Sequence, residues 1–83
     1  MNIDKMISDI QNNSINFDLF NAYEQKWLYN LFQNGLSLQL CPLSEFNQDI
    51  QMLMCYTAYL NDINSQYYIP ICIRQKLNNY LNK

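Results

Sequence analysis

"GLSLQLCP", Gly35 to Pro42, decides how this chain is read. Leu36, Leu38 and Leu40 fall at every second position, fenced by the only glycine and one of two prolines. Period two belongs to strands, whereas the flanking segments carry helical spacing. If the ladder pairs with residues 15–19 or 67–71, the fold is α+β with a short two-stranded element. If it runs as an extended crossover strap between two helices, the fold is mainly α. Buried extended backbone needs hydrogen-bond partners, which argues for pairing. Pro70 weakens one candidate strand and Asp18 shortens the other, which favours the strap.

Upstream of the ladder, Phe20, Tyr23, Trp27 and Leu31 form an apolar stripe. Asn21-x-x-Glu24 has the form of a capping box, so Glu24 can be satisfied inside that stripe. Asn34-Gly35 closes this helix, glycine supplying the left-handed conformation at its end. Tyr29 points away from the stripe, among Ala22, Gln25 and Gln33. Further upstream, Ile3, Met6, Ile7 and Ile10 make an amphipathic helix with Asn2 as cap and Lys5–Asp9 as a surface pair.

Downstream, Pro42 bars helix from the residue before it, and Ser44 is read as the next cap, with Glu45 in the first turn. Phe46, Ile50, Leu53, Thr57 and Leu60 make one face of the third helix. Met52, Cys55, Tyr56 and Tyr59 make a second, leaving only Gln51, Ala58 and Asp62 as a wet strip. Such a helix is either central to its domain or half-covered by another chain. The fourth helix carries Ile73, Leu77, Tyr80 and Leu81, with Pro70 at its start. The expectation is one domain over 1–83: a small four-helix fold with helices at 3–12, 21–34, 45–61 and 71–82.

Composition narrows the function classes. The apolar fraction is 49%, ample for a core, and charged residues are only 14%. The chain holds 13 Asn and 8 Gln, so amides rather than charges solubilise its surface. AT-rich coding bias accounts for much of that, yet sparse charge also resists self-association weakly. Residues 1–66 carry a net charge of −5 and residues 67–83 a net charge of +3, from Arg74, Lys76 and Lys83. Five basic residues so divided do not make a nucleic-acid face. No stretch reaches the length of a membrane span, and MNIDKMISDI lacks a signal-peptide core. Cytoplasmic free thiols are the expectation for Cys41, Cys55 and Cys72, which show no CxxC spacing.

Catalytic signatures are missing. Without histidine, general acid–base work and serine activation lose their usual partner. Cysteines on apolar stretches usually pack as small hydrophobes. A single glycine cannot build a phosphate loop. The expectation is no enzyme, no cofactor and no metal.

What remains is protein binding, for which Tyr, Trp and Met are the enriched residues. Trp27 and Tyr23 are expected in the core. Met52, Tyr56, Tyr59 and Tyr29 are the candidate partner-binding residues, because 83 residues cannot easily bury two faces of one helix. Over ten residues, MNIDKMISDI resembles the first helix of small phage anti-CRISPR proteins, a likeness that any short amphipathic helix can share. The short, Asn-rich, acidic profile is similar to accessory proteins of phages and mobile elements. These resemblances imply an inhibitor or adaptor of a host protein, such as a defence nuclease. The alternatives are a homo-oligomeric structural protein, a homodimer being the simplest, and a minor nucleic-acid accessory protein.

Overall fold

Four helices form where the apolar periodicity places them: α1 (Ile3–Gln11), α2 (Ala22–Gln33), α3 (Gln48–Asn61) and α4 (Ile71–Leu81). The computed structural model describes residues 2–81; Asn82, the last residue of the expected fourth helix, lies outside the described residues. No strand occurs among the described residues, so the fold is mainly α and the two-stranded alternative falls away.

The leucine ladder owes this outcome to local hydrogen bonding. Ser37 Oγ accepts the Gln39 amide at 3.3 Å, and the Leu40 and Cys41 amides donate to Ser37 and Leu38 carbonyls, both at 3.0 Å. A 3-10 turn, Leu38–Leu40, thus satisfies its own backbone and needs no partner strand. Alternation survives only in part: Leu38 is buried, Leu36 half-buried, and Leu40 is 68% exposed. The crossover packs on the 3-10 helix Ile63–Tyr68, the one segment that links α3 to α4.

Helices α2 and α3 start in the same way. Each follows a three-residue 3-10 turn, Phe17–Leu19 or Leu43–Glu45, whose last residue leads into an extended, buried phenylalanine, Phe20 or Phe46. An asparagine comes next. Asn21 Oδ1 accepts the Glu24 amide at 2.8 Å, and Asn47 Oδ1 accepts the Ile50 amide at 3.0 Å. A glutamine then locks the turn, Gln25 Nε2 donating to the Phe20 carbonyl at 2.7 Å and Gln51 Nε2 to the Phe46 carbonyl at 2.8 Å. The motif is Phe-Asn-x-x-x-Gln in both. Its second copy corrects the expected start of α3: the cap is Asn47, and Ser44 lies in the preceding 3-10 turn. The capping box of α2 forms in full, with Glu24 accepting the Asn21 amide at 3.0 Å. Asn2 caps α1, Lys5 pairs with Asp9 at 3.3 Å, and Gly35 closes α2 at φ 60°.

Packing converges on α3. The other three helices and the Ile63–Tyr68 segment all lie against it. Ile50 and every residue from Met52 to Ala58 are buried, including Ala58, which was expected in the wet strip. Thr57, the one buried polar residue of the described core, donates its hydroxyl to the Leu53 carbonyl at 2.7 Å. The expectation that so small a chain leaves one face of this helix open is therefore corrected. Three short helices and a 3-10 segment suffice to surround 14 residues of helix.

The cap assignment has a direct test. Asn47→Ala should cost about 1 kcal/mol in a denaturant titration, while Ser44→Ala should stay within about 0.5 kcal/mol of wild type. The reverse order would restore Ser44 as the cap.

Candidate interaction surface

Of the four candidate partner-binding residues, the monomer covers two. Met52 and Tyr56 belong to the core, and the Tyr56 hydroxyl accepts Gln11 Nε2 at 2.7 Å across to α1. The physical reason is the wrapping of α3: this face, read as spare, receives α1 and the end of α4. Tyr56 packs against Tyr80 with ring centroids 6.2 Å apart. Tyr59 is half-buried, its hydroxyl donating to the Leu81 carbonyl at 3.2 Å. Only Tyr29 is exposed, at 52%.

Tyr29 stands in an open trough of about 510 Å³ on the outer side of α2, with Phe17 6.1 Å from its ring. Lys26 sits at the edge, its ammonium 5.5 Å from the centre of the Trp27 ring. Trp27 and Tyr23 are less enclosed than the core reading expected. Trp27 is half-buried, and its Nε1 is the buried side-chain donor without a partner among the described residues. Tyr23 is 43% exposed; it stacks on Phe46 at 5.3 Å and donates its hydroxyl to Glu45 at 3.1 Å. These rings cover the joint between α2 and the start of α3.

The larger apolar surface lies elsewhere. At the corner where α3 passes into α4, Ile63, Tyr67 and Tyr68 project from the 3-10 helix and Ile71 from the first turn of α4. Tyr67 is 75% and Ile71 77% exposed. Leu40 belongs to the crossover packed on the same segment. No helical or strand period places these residues together, because they come from a 3-10 helix, a crossover and a helix start. A run of large apolar residues through the break at "INSQYYIPI" was the available signal.

One cation, Arg74, is tied to this corner, while Lys76 reaches back to the start of α3. Arg74 donates to Gln66 Oε1 at 3.0 Å, and Lys76 reaches Gln48 Oε1. Both are oriented by neutral amides, so neither charge is cancelled. The ion pair Lys5–Asp9 is the one salt bridge among the described residues.

A polar cleft of about 300 Å³ opens beside the corner, between the crossover at Gly35–Ser37, the end of α3 and the 3-10 helix, with Tyr68 in its lining. Asn61 Nδ2 fastens its inner side by donating to the Leu31 carbonyl at 2.6 Å, which ties the end of α2 to the end of α3.

The thiols are placed for packing. Burial pushes Cys55 up to about 12 and Cys41 up to about 11, so both remain protonated at neutral pH. Cys41 Sγ lies 3.7 Å from Met54 Sδ. Cys72 is exposed. Among the described residues no three His, Cys, Asp or Glu side chains gather as a metal site, and no helix is long and apolar enough to cross a membrane. Compared with family models, curated proteins and solved structures, the chain matches none.

A thiol reagent such as DTNB should label one cysteine rapidly in the native protein and all three after denaturation. Rapid labelling of two or three would mean that Cys41 or Cys55 opens readily. Tyr56→Arg should unfold the domain, with a loss of several kcal/mol, because it buries a charge and orphans Gln11. Tyr29→Arg should leave thermal stability nearly unchanged.

Proposed function

We propose that this chain is a non-enzymatic protein-binding module, an inhibitor or adaptor, which engages its partner through the corner formed by Leu40, Ile63, Tyr67, Tyr68 and Ile71. The observation that carries the reading is the exposure of Ile63, Tyr67, Tyr68 and Ile71 within the short connection from α3 to α4, with exposed Leu40 on the crossover packed against that connection. Monomeric proteins rarely leave such a patch open without use, and tyrosine is enriched at the centres of interfaces. Arg74, whose guanidinium reaches Gln66 in the same connection, favours a partner surface that is apolar with an acidic group facing it. The absence of histidine and the protonated state of the buried thiols support a role without catalysis. The resemblance of residues 1–10 to phage anti-CRISPR proteins supplies the finer reading, in which the partner is a host protein such as a defence nuclease.

The double variant Tyr67→Asp, Ile71→Asp tests the surface. Both residues are exposed, so stability should change by no more than about 0.5 kcal/mol for each. Wild type should be monomeric by light scattering and should form a complex with its host target that the variant does not form. A wild-type homodimer that the variant converts to monomer would instead support the structural role, with a second copy covering the corner. A variant that binds as wild type would remove the corner from the interface.

A further inference from the structure

The cleft beside the corner has a mixed lining, in which Leu36 and Ala58 supply apolar surface and the remaining side chains polar groups. Ser37 comes from the crossover, Asn61 and Asp62 from the end of α3, and Asn64, Ser65 and Tyr68 from the 3-10 helix. Asp62 is the only charged residue among those that line it. Its Oδ1 accepts the Asn64 amide at 3.0 Å, which caps the 3-10 helix and fixes the carboxylate at the mouth. The other carboxylate oxygen, the Asn64 amide group, the Ser65 hydroxyl and the Tyr68 hydroxyl have no partner among the described residues. Fixed acceptors, one uncompensated negative charge and an aromatic side chain therefore share a space at the small end of ligand pockets.

We propose that this cleft receives a guanidinium, the side chain of an arginine on the protein partner. For the identity of the donor this rests on the protein-binding reading above. The chemistry selects arginine over other side chains. A planar fork of N–H donors can meet the Asp62 carboxylate and neighbouring amide and hydroxyl oxygens together, whereas a lysine ammonium is a point charge. The Tyr68 ring offers a face on which a guanidinium stacks. A neutral polar group of the same shape would leave the carboxylate uncompensated. Because Tyr68 belongs to both the cleft and the apolar corner, an arginine seated here would anchor one edge of the interface. Asp62 and Arg74 would then present opposite charges to the partner and fix its orientation.

The test uses free protein and N-acetyl-arginine methylamide, followed by amide chemical shifts, with the citrulline analogue as its uncharged counterpart. The arginine probe should give saturable shifts at residues 35–37 and 61–68, with a dissociation constant on the order of 10 mM, as one side chain can supply. The citrulline probe should bind about ten-fold more weakly, a difference expected for loss of one charge-assisted contact. Asp62→Asn keeps the cap oxygen for the Asn64 amide and so should retain the melting temperature, yet it should lower arginine affinity to the citrulline level. Equal binding of the two probes, indifference to Asp62→Asn, shifts centred elsewhere, or no saturable shift would each overturn the proposal. No partner protein is involved, so failure here leaves the apolar corner standing. A complex that survives Tyr67→Asp, Ile71→Asp while arginine still binds would sink the corner and spare the cleft.

Discussion

Everything in this fold depends on removing one helix from water. Eight residues of α3, Ile50 and Met52–Ala58, are buried, and they lie on all sides of the helix rather than along one stripe. A helix apolar all round has no stable exposed orientation, so the chain must surround it. The remaining helices are amphipathic and short, and each uses its apolar side on α3. Tyr56 shows how the wrapping is fastened. It is buried, yet its hydroxyl reaches Gln11 on α1 and its ring meets Tyr80 on α4, so one side chain of the hub joins two of its covers.

That arrangement explains why the interaction surface lies at a corner. Most apolar residues of the long helices are consumed by the hub, and many of the large side chains left exposed lie in the connections or at a helix start. The 3-10 helix Ile63–Tyr68 leaves Ile63, Tyr67 and Tyr68 facing out, while Ile69, just after it, is buried. Such short segments carry little of the core and tolerate unusual surface chemistry, which suits a binding role.

Much of the fold was legible in the sequence. Period 3.6 located all four helices, the capping box at Asn21–Glu24 formed as read, and Gly35 took the left-handed conformation assigned to it. The leucine ladder is a crossover and not a strand, but the extended backbone expected of it is a 3-10 turn set by Ser37, which period two cannot reveal. The start of α3 was misplaced because Ser44 is a good cap by residue type. The repeated Phe-Asn-x-x-x-Gln spacing, which marks Asn47, was present but unread. The candidate site was mostly illegible. Met52 and Tyr56 were judged by helix geometry alone, which says which residues share a face but not which face a neighbour will cover. The corner brings together positions 40, 63, 67, 68 and 71 from three kinds of backbone, a juxtaposition no periodicity encodes.

The amide-rich composition acquires a structural meaning from the caps. Asn2, Asn16, Asn21 and Asn47 each hold the first turn of a helical segment, where many proteins place aspartate. An amide takes up no proton in either the folded or the unfolded chain, so these contacts add nothing to the pH dependence of folding. With one salt bridge among the described residues and a core held by apolar packing, few framework contacts depend on charge. Glu24 in the α2 box and Asp62 at the 3-10 helix are the carboxylates that share in this capping. Four helical first turns thus take their acceptor from a group without charge, which leaves ionic strength little hold on how those segments begin.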